Sequence, residues 1–228
     1  SCFGGADGEV VASVTGGVQP ITYSWTNTAQ NTSIITNLSA ANYSLIISDN
    51  IGCQKQGNIT VTEPDSLYIL LDTIIPVSCN GGNTGFLKVN PSGGAGTYNY
   101  LYTGPNNFIN PNTTKQLANL YAGVYNLTIT DQNNCQASIS MLVEEPDLLV
   151  VNSTVTDVSC FGFNDGLVST NVQGGFTPYS YLWGNGEVTN IIDSLLIGNY
   201  SVVVTDSNNC TAQSNYIINQ PDILTLSL

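Results

Sequence analysis

The chain has no histidine and no arginine, and its three cations, Lys55, Lys88 and Lys115, stand against 16 Asp and Glu for a net charge of −13. A surface of that sign repels phosphate and no basic patch offsets the repulsion, which removes nucleic acid as a partner. Anionic membranes are disfavoured for the same reason. Without histidine, neither a Ser-His nor a Cys-His nucleophile pair can be assembled. No CxxC or Cys/His cluster has zinc-ligand spacing, and no glycine-rich loop leads into a helix that would cradle phosphate. Paired carboxylates would suit a glycosidase, yet the acids fall in turns and at segment ends rather than converging on a cleft. No apolar run is long enough to span a bilayer, so membrane insertion is not expected. There is neither an initiating Met nor a signal peptide, and the chain reads as a piece of a mature exported protein. These absences leave a non-catalytic protein without a required cofactor.

What is present is a polar, uncharged, strand-forming composition. Hydrophobic residues make up 42% of the chain against 8% charged, and its wealth of β-branched and aromatic residues marks a folded chain rather than an acidic disordered one. One stretch occurs three times: Leu38 to Cys53 (LSAANYSLIISDNIGC), Leu120 to Cys135 (LYAGVYNLTITDQNNC) and Leu195 to Cys210 (LLIGNYSVVVTDSNNC). Each has a Leu, a Tyr five residues later (Tyr43, Tyr125, Tyr200), an alternating apolar strand, an Asp (Asp49, Asp131, Asp206) and a Cys. This is a β-strand entered through a corner and left through an Asp-nucleated turn.

The period is about eighty residues, which sets the domain count at three. Cys2, Cys79 and Cys160 open the phase, and a GlyGly pair follows each at a fixed fourteen residues: Gly16 and Gly17, Gly93 and Gly94, Gly174 and Gly175. An aromatic strand comes next, ITYSW, YNYLY or YSYLW, whose alternation places Tyr23, Tyr100 and Tyr181 on one face with Trp25, Tyr102 and Trp183. One large aromatic here per repeat matches the buried aromatic on the third strand of an immunoglobulin-like sandwich. The stretch from Thr103 to Thr114 is turn-rich and reads as a surface loop. Each repeat closes on a Pro flanked by acid or amide (Glu63-Pro64-Asp65, Glu145-Pro146-Asp147, Gln220-Pro221-Asp222), and Pro cannot continue a sheet ladder.

The expected architecture is therefore all-β: three tandem immunoglobulin-like (fibronectin III-like) sandwiches of about seven strands each, forming an elongated rod. The boundaries are 1–64, 65–146 and 147–221, with 222–228 as the opening strand of a following repeat. The first repeat lacks the opening strand that Leu67 to Leu71 and Leu148 to Val151 supply to the others. Either the chain is a window on a longer array, the favoured reading for tandem repeats, or the tail strand completes the first domain of the next molecule.

With CFGGADG, GG, PITYSW, NLSAANYSLIISDNIGC and EPD in this order three times over, the chain resembles the repeat of the SprB family of Bacteroidota gliding adhesins. The second repeat departs with Thr84 in place of Asp7 and Asp165, and with Tyr102 in place of Trp. The resemblance implies a very large surface protein exported by the type IX secretion system for adhesion or gliding motility, with no catalysis. Localisation is then extracellular, at the bacterial cell surface.

Two cysteines per repeat fit an oxidising compartment. Pairing within a repeat would join Cys2 to Cys53, Cys79 to Cys135 and Cys160 to Cys210. In an immunoglobulin-like sandwich, however, those two positions lie at opposite ends of a strand roughly 20 Å long, too far for a disulfide. In a head-to-tail array the far end of one domain meets the near end of the next, so the expected pairs are Cys2 with Cys135 and Cys79 with Cys210, leaving Cys53 and Cys160 for neighbours. Asp49, Asp131 and Asp206 are weak candidates for calcium, turn capping being the plainer role since no loop has calcium-ligand spacing. Ser66, Thr73 and Ser194 sit in Asp-Ser-Leu, Asp-Thr-Ile and Asp-Ser-Leu, which resemble the short O-glycosylation motif of Bacteroidota secreted proteins. The expected function is a stalk or filament segment of an adhesin whose partners are neighbouring repeats. The alternatives are a pilus-like subunit using donor-strand exchange, and a module whose loops (26–31, 103–114, 184–190) bind surface glycans.

Overall fold

The computed structural model describes residues 1–112 and 114–227, so Thr113 of the expected loop and Leu228 of the expected tail strand lie outside the described residues. The first repeat forms β1 (Gly8–Val11), β2 (Thr22–Trp25), β3 (Ile34–Leu38), β4 (Ala41–Ser48) and β5 (Gln54–Val61). The second forms β6 (Tyr68–Ile75), β7 (Gly85–Ser92), β8 (Asn99–Thr103), β9 (Ile109–Asn112), β10 (Gln116–Leu120), β11 (Gly123–Thr130) and β12 (Gln136–Val143). The third forms β13 (Val150–Thr156), β14 (Gly166–Gln173), β15 (Ser180–Trp183), β16 (Ile191–Leu195), β17 (Gly198–Thr205) and β18 (Thr211–Ile218). Among the described residues there is no α-helix. The chain consists of tandem immunoglobulin-like β-sandwich domains.

Two compact units carry these strands. One comprises Ser1–Asp72, Val89–Lys115 and Asn126–Ser140; the other comprises Thr73–Lys88, Gln116–Tyr125 and Met141–Leu228. The second repeat contributes to both. Within the first unit lie the sheets β1-β3 and β2-β4-β5; within the second lie β13-β14-β16 and β15-β17-β18. The strands of the second repeat are ordered β10-β7-β6 and β12-β11-β8-β9. The expectation of about seven strands per repeat therefore holds only in the second, the first having five and the third six. The segment 103–114, expected as a loop, instead holds a hairpin: β9 pairs with β8, Thr103 opposite Ile109 and Tyr102 opposite Asn110, because Pro105 and the two asparagines after it reverse the chain within five residues. Residues 219–227, which include the described part of the expected tail strand, form no strand, and Ile223, Leu224 and Leu226 are exposed.

Alternation along each strand builds the cores. In the third repeat Val168 of β14, Trp183 of β15, Ile192 and Leu195 of β16, Val202 and Val204 of β17 and Ile218 of β18 form one buried cluster drawing on both sheets. The large aromatic on the third strand is anchored the same way each time. Trp25 Nε1 donates to the Thr32 carbonyl at 3.0 Å and Trp183 Nε1 to that of Thr189 at 2.9 Å. In the second repeat the Tyr102 hydroxyl donates to the Thr114 carbonyl at 3.2 Å, which is the equivalent position, so the Tyr-for-Trp departure keeps the bond. Burial pushes the Tyr102 phenol up to about 12, with a smaller push from Tyr100.

The corner before the recurring strand is made by tyrosine. The hydroxyls of Tyr43, Tyr125 and Tyr200 donate to the carbonyls of Ser39, Tyr121 and Leu196, four residues upstream, at 2.9, 3.1 and 3.1 Å. This is the tyrosine corner of immunoglobulin-like domains. Just before it, Asn37, Asn119 and Ser194 take φ of 55°, 56° and 56° where the register of β3, β10 and β16 shifts. Asn tolerates that left-handed conformation better than Ser.

The first repeat has the thinnest core: Trp25, Ile35, Leu38 and Tyr43 are buried. Leu45 and Ile47 of β4 are only half-buried, whereas their counterparts Leu127, Ile129, Val202 and Val204 are fully buried. Leu127→Ala is accordingly expected to cost about 2–5 kcal/mol and Leu45→Ala clearly less, as read from urea-unfolding midpoints. Ser194→Asn is expected to raise the melting temperature.

Candidate functional site

The repeat junctions concentrate the chemistry of this chain, and each unit contains one. In the first unit Cys2 and Cys135 form a disulfide with Cα atoms 5.6 Å apart; in the second Cys79 and Cys210 do the same, also at 5.6 Å. Each joins the first Cys of one repeat to the second Cys of the next, across 133 and 131 residues. Cys53 and Cys160 are exposed free thiols. A matching hydrogen bond accompanies each disulfide: Asn133 Nδ2 donates to the Ser1 carbonyl at 2.7 Å and Asn208 Nδ2 to that of Ser78 at 3.2 Å.

The loop after each first Cys is tied to the residue preceding the repeat-closing proline. Gly4 N–H donates to the Glu63 carboxylate, Gly81 N–H to Glu145 Oε2 at 2.6 Å and Gly162 N–H to Gln220 Oε1 at 3.1 Å. Asn80 Nδ2 adds a bond to the Pro146 carbonyl at 3.0 Å. Thr84 replaces the aspartate without losing its job. Its hydroxyl accepts the Ser78 N–H at 2.7 Å, as Asp165 Oδ1 accepts the Ser159 N–H at 2.9 Å.

The opening strand enters over the GlyGly pair, and this explains the fixed spacing. Gly93 and Gly174 have φ of 76° and 72°, and a Cβ on either would run into the carbonyl oxygen of Ser66 or Leu148. The next glycine anchors the entering chain: Gly94 N–H donates to the Asp65 carbonyl at 2.8 Å and Gly175 N–H to that of Asp147 at 2.9 Å. The leucine that follows, Leu67 or Leu149, lies against that second glycine. The sequence marked the pair as a repeated loop geometry, fourteen residues after each first Cys, but carried no signal of the backbone that packs on it.

Each turn aspartate spends its oxygens on three backbone amides. Asp206 Oδ1 accepts from Asn208 and Cys210, both at 2.8 Å, and Oδ2 from Phe176 at 2.9 Å. Asp131 does the same with Asn133 and Cys135 at 2.9 Å and Ala95 at 2.8 Å. Asp49 accepts from Val18 at 3.1 Å, Cys53 at 2.9 Å and Ile51 at 3.1 Å. Burial works to raise the carboxyls of Asp131 and Asp206, yet the amides outweigh it and hold both below the usual carboxylate range. For Asp49 the Val18 amide leads the same downward shift. Among the described residues no three His, Cys, Asp or Glu side chains come together to hold a metal ion.

The family model for the SprB repeat matches residues 1–30, 71–107 and 152–188. The chain carries the SprB repeat three times. No curated protein matches it. Among solved structures it is similar to the N-terminal eight Ig domains of Down Syndrome Cell Adhesion Molecule, at 11% identity and a TM-score of 0.39, covering 95% of this chain and 34% of that one. It is also similar to immunoglobulin domains 1–4 of Sidekick-1, at 11% identity and TM-score 0.32, over 96% of this chain and 72% of that one. A tetra-tandem repeat from the extending region of a large adhesion protein matches at 15% identity and TM-score 0.29, over 90% and 68%. The chain thus spans about a third of the first of these structures.

The remaining candidates are scattered over the SprB repeats. Ser66 is exposed, Thr73 is half-buried within β6, and Ser194 is exposed on β16 beside Asp193, whose Oδ1 its hydroxyl reaches at 3.1 Å. Most large aromatics serve the cores, and Phe108 lies half-buried at the β8-β9 hairpin, its N–H bonded to the Pro105 carbonyl at 3.0 Å. Because the aspartate carboxyls titrate lower in the folded chain than the ordinary 3.8, their stabilisation is complete above that value and is lost as pH falls through the folded pKa. Asp206→Asn and Asp131→Asn each strand one amide. Both are expected to lower the melting temperature at neutral pH and to lose that deficit relative to wild type in strong acid, as followed by thermal melts from acid to neutral pH.

Proposed function

We propose that this chain is a non-catalytic structural segment, a stalk or filament stretch, of a large secreted cell-surface adhesin serving adhesion or gliding and exported by the type IX pathway. Its domains are residues 1–64, 65–146 and 147–221, with 222–228 opening a following repeat. The observation that carries this reading is the interleaved pair of disulfides, each joining one SprB repeat to the next. A disulfide contributes about 2–4 kcal/mol to a small domain, and an oxidising setting outside the cytoplasm is where it persists. Its partners on this reading are neighbouring repeats, and neither metal nor cofactor is required.

The wiring also limits extension. Pulled from its ends, the oxidised chain has its shortest covalent path from Cys2 across to Cys135, back to Cys79, across to Cys210 and out, about 75 of the 228 residues. At roughly 3.6 Å per residue, the limiting extension is about a third of that of the reduced chain. Single-molecule stretching with and without reductant reads this ratio, and equal extensions would remove the case for a stapled, tension-bearing stalk. Antibody labelling in the native source tests the location and parent: a surface-exposed polypeptide far larger than 24.1 kDa is expected. A free product of that mass would overturn the reading.

A further inference from the structure

The charged residues of this chain avoid one sheet of every repeat. The sheets β2-β4-β5, β12-β11-β8-β9 and β15-β17-β18 hold a single charged side chain among their ten strands, Lys55 of β5. In a chain with 16 Asp and Glu, these sheets are set apart from the rest of the surface. The third of them has no charge at all. Alternation turns its Trp183, Val202, Val204 and Ile218 into the core and leaves Leu182, Asn199, Ser201, Asn215 and Ile217 on the opposite face.

On that face Asn199 stands opposite Ile217 and Ser201 opposite Asn215. The four border an open cleft of about 420 Å³, which Tyr200 and Tyr216 also line, a size within the range of ligand sites. Their polar counterparts in the other repeats are already paired: Thr60 Oγ1 donates to Asn42 Oδ1 at 2.6 Å, and Ser140 Oγ to Asn126 Oδ1 at 2.6 Å. Among the described residues the side chains of Asn199, Ser201 and Asn215 make no such bond. Nor is the opening a product of the chain's end. Val124 and Leu142 hold the positions of Asn199 and Ile217 in a repeat that another follows, and they are 51% and 53% exposed against 64% for Ile217.

We propose that the outward face of β17 and β18 binds an uncharged polysaccharide, held by Asn199, Ser201 and Asn215 over the Ile217 side chain. A sugar hydroxyl both donates and accepts, and a carboxamide offers both functions from one planar group, so each Asn engages a pair of neighbouring hydroxyls while Ser201 takes one. The C–H face of a ring then rests on Ile217. Charge excludes the other occupants. An anionic chain would approach a protein of net charge −13 whose residues 147–221 include no Lys or Arg. A basic partner finds no carboxylate on these strands to hold it. A second copy of the chain needs more room. Three strands about 4.8 Å apart, the longest of eight residues at about 3.3 Å each, offer at most roughly 400 Å², about half of what each partner gives to a stable protein interface. One extended chain of hexoses fits that strip, and with no aromatic ring facing outward on it the binding is weak. This inference goes beyond the stalk reading by giving the segment a contact surface of its own on a sheet rather than on its loops. It stands without that reading, because binding is measured on the purified chain whatever its parent.

The test is titration of the isotope-labelled full chain with cellohexaose, laminarihexaose, maltohexaose and mannohexaose, read by NMR from the backbone amides of β17 and β18 and the side-chain amides of Asn199 and Asn215. At least one of these neutral sugars should shift those signals saturably, and an oligogalacturonate of the same length should not. Asn215→Asp, which keeps the shape but replaces the donor by a charge, and Asn199→Ala should each weaken binding about tenfold. Both positions are exposed, and far-UV circular dichroism with melting curves establishes that the variants are folded. Val188→Ser, in the loop after β15 at a side chain 65% exposed, should leave binding unchanged. No saturable shift with any of the four sugars, or equal binding of the oligogalacturonate, would overturn the proposal. So would binding lost in Val188→Ser yet untouched in Asn215→Asp, which places the sugar on the loops, and shifts that follow protein concentration without sugar, which mark a second copy. None of these outcomes bears on the disulfide-wired stalk.

Discussion

One turn carboxylate, buried in the second and third repeats, holds the junction chemistry in place. Asp131 and Asp206 accept an amide from the loop after the GlyGly pair, one from the turn and one from the cysteine that closes it. An acid nearly removed from water keeps its charge here because three donors converge on it, which water could not do more cheaply in so tight a turn. The cysteine is thereby presented at a fixed position, and the glycine loop is held where the opening strand must enter. Entry of the strand, the bend of the loop and the disulfide all refer back to this group.

The first repeat shows how much of a sandwich depends on its opening strand. Its sequence between Gly8 and Thr15 is as strand-like as that of β14, yet only Gly8–Val11 forms a ladder. A strand is a property of a pair, since the backbone donors and acceptors of an edge must find partners or water. Without the covering strand Leu45, Ile47 and Asp49 stay half-exposed, although the residues themselves match the buried ones elsewhere.

Departures among the repeats keep function while changing atoms. Tyr102 reaches the carbonyl that Trp25 and Trp183 reach, and Thr84 accepts the amide that Asp165 accepts. Conversely, Ser194 takes the left-handed position held by Asn37 and Asn119, a substitution nothing in its surroundings explains. Threefold repetition inside one chain thus acts as an internal comparison: what recurs in geometry rather than in residue type is what the fold requires.

Alternation, the tyrosine corner and the Asp turn were legible from the residues, because strand periodicity and turn chemistry are local and were written three times. The SprB-repeat resemblance and the immunoglobulin-like class followed from that repetition. The β9 hairpin was not legible, since INPN has neither alternation nor strand-forming composition and forms a strand by pairing with β8. Nor could the sequence say why two glycines recur at one distance, because the carbonyl of Ser66 or Leu148 that excludes a Cβ arrives from about 27 residues away. By itself, then, the sequence determined the repeat, the strand grammar and the absence of histidine-based chemistry. Tertiary structure alone decided which edges are covered and which are open, because hydrogen-bond pairing and the burial of Leu149 or exposure of Leu224 depend on neighbours that residue identity does not name.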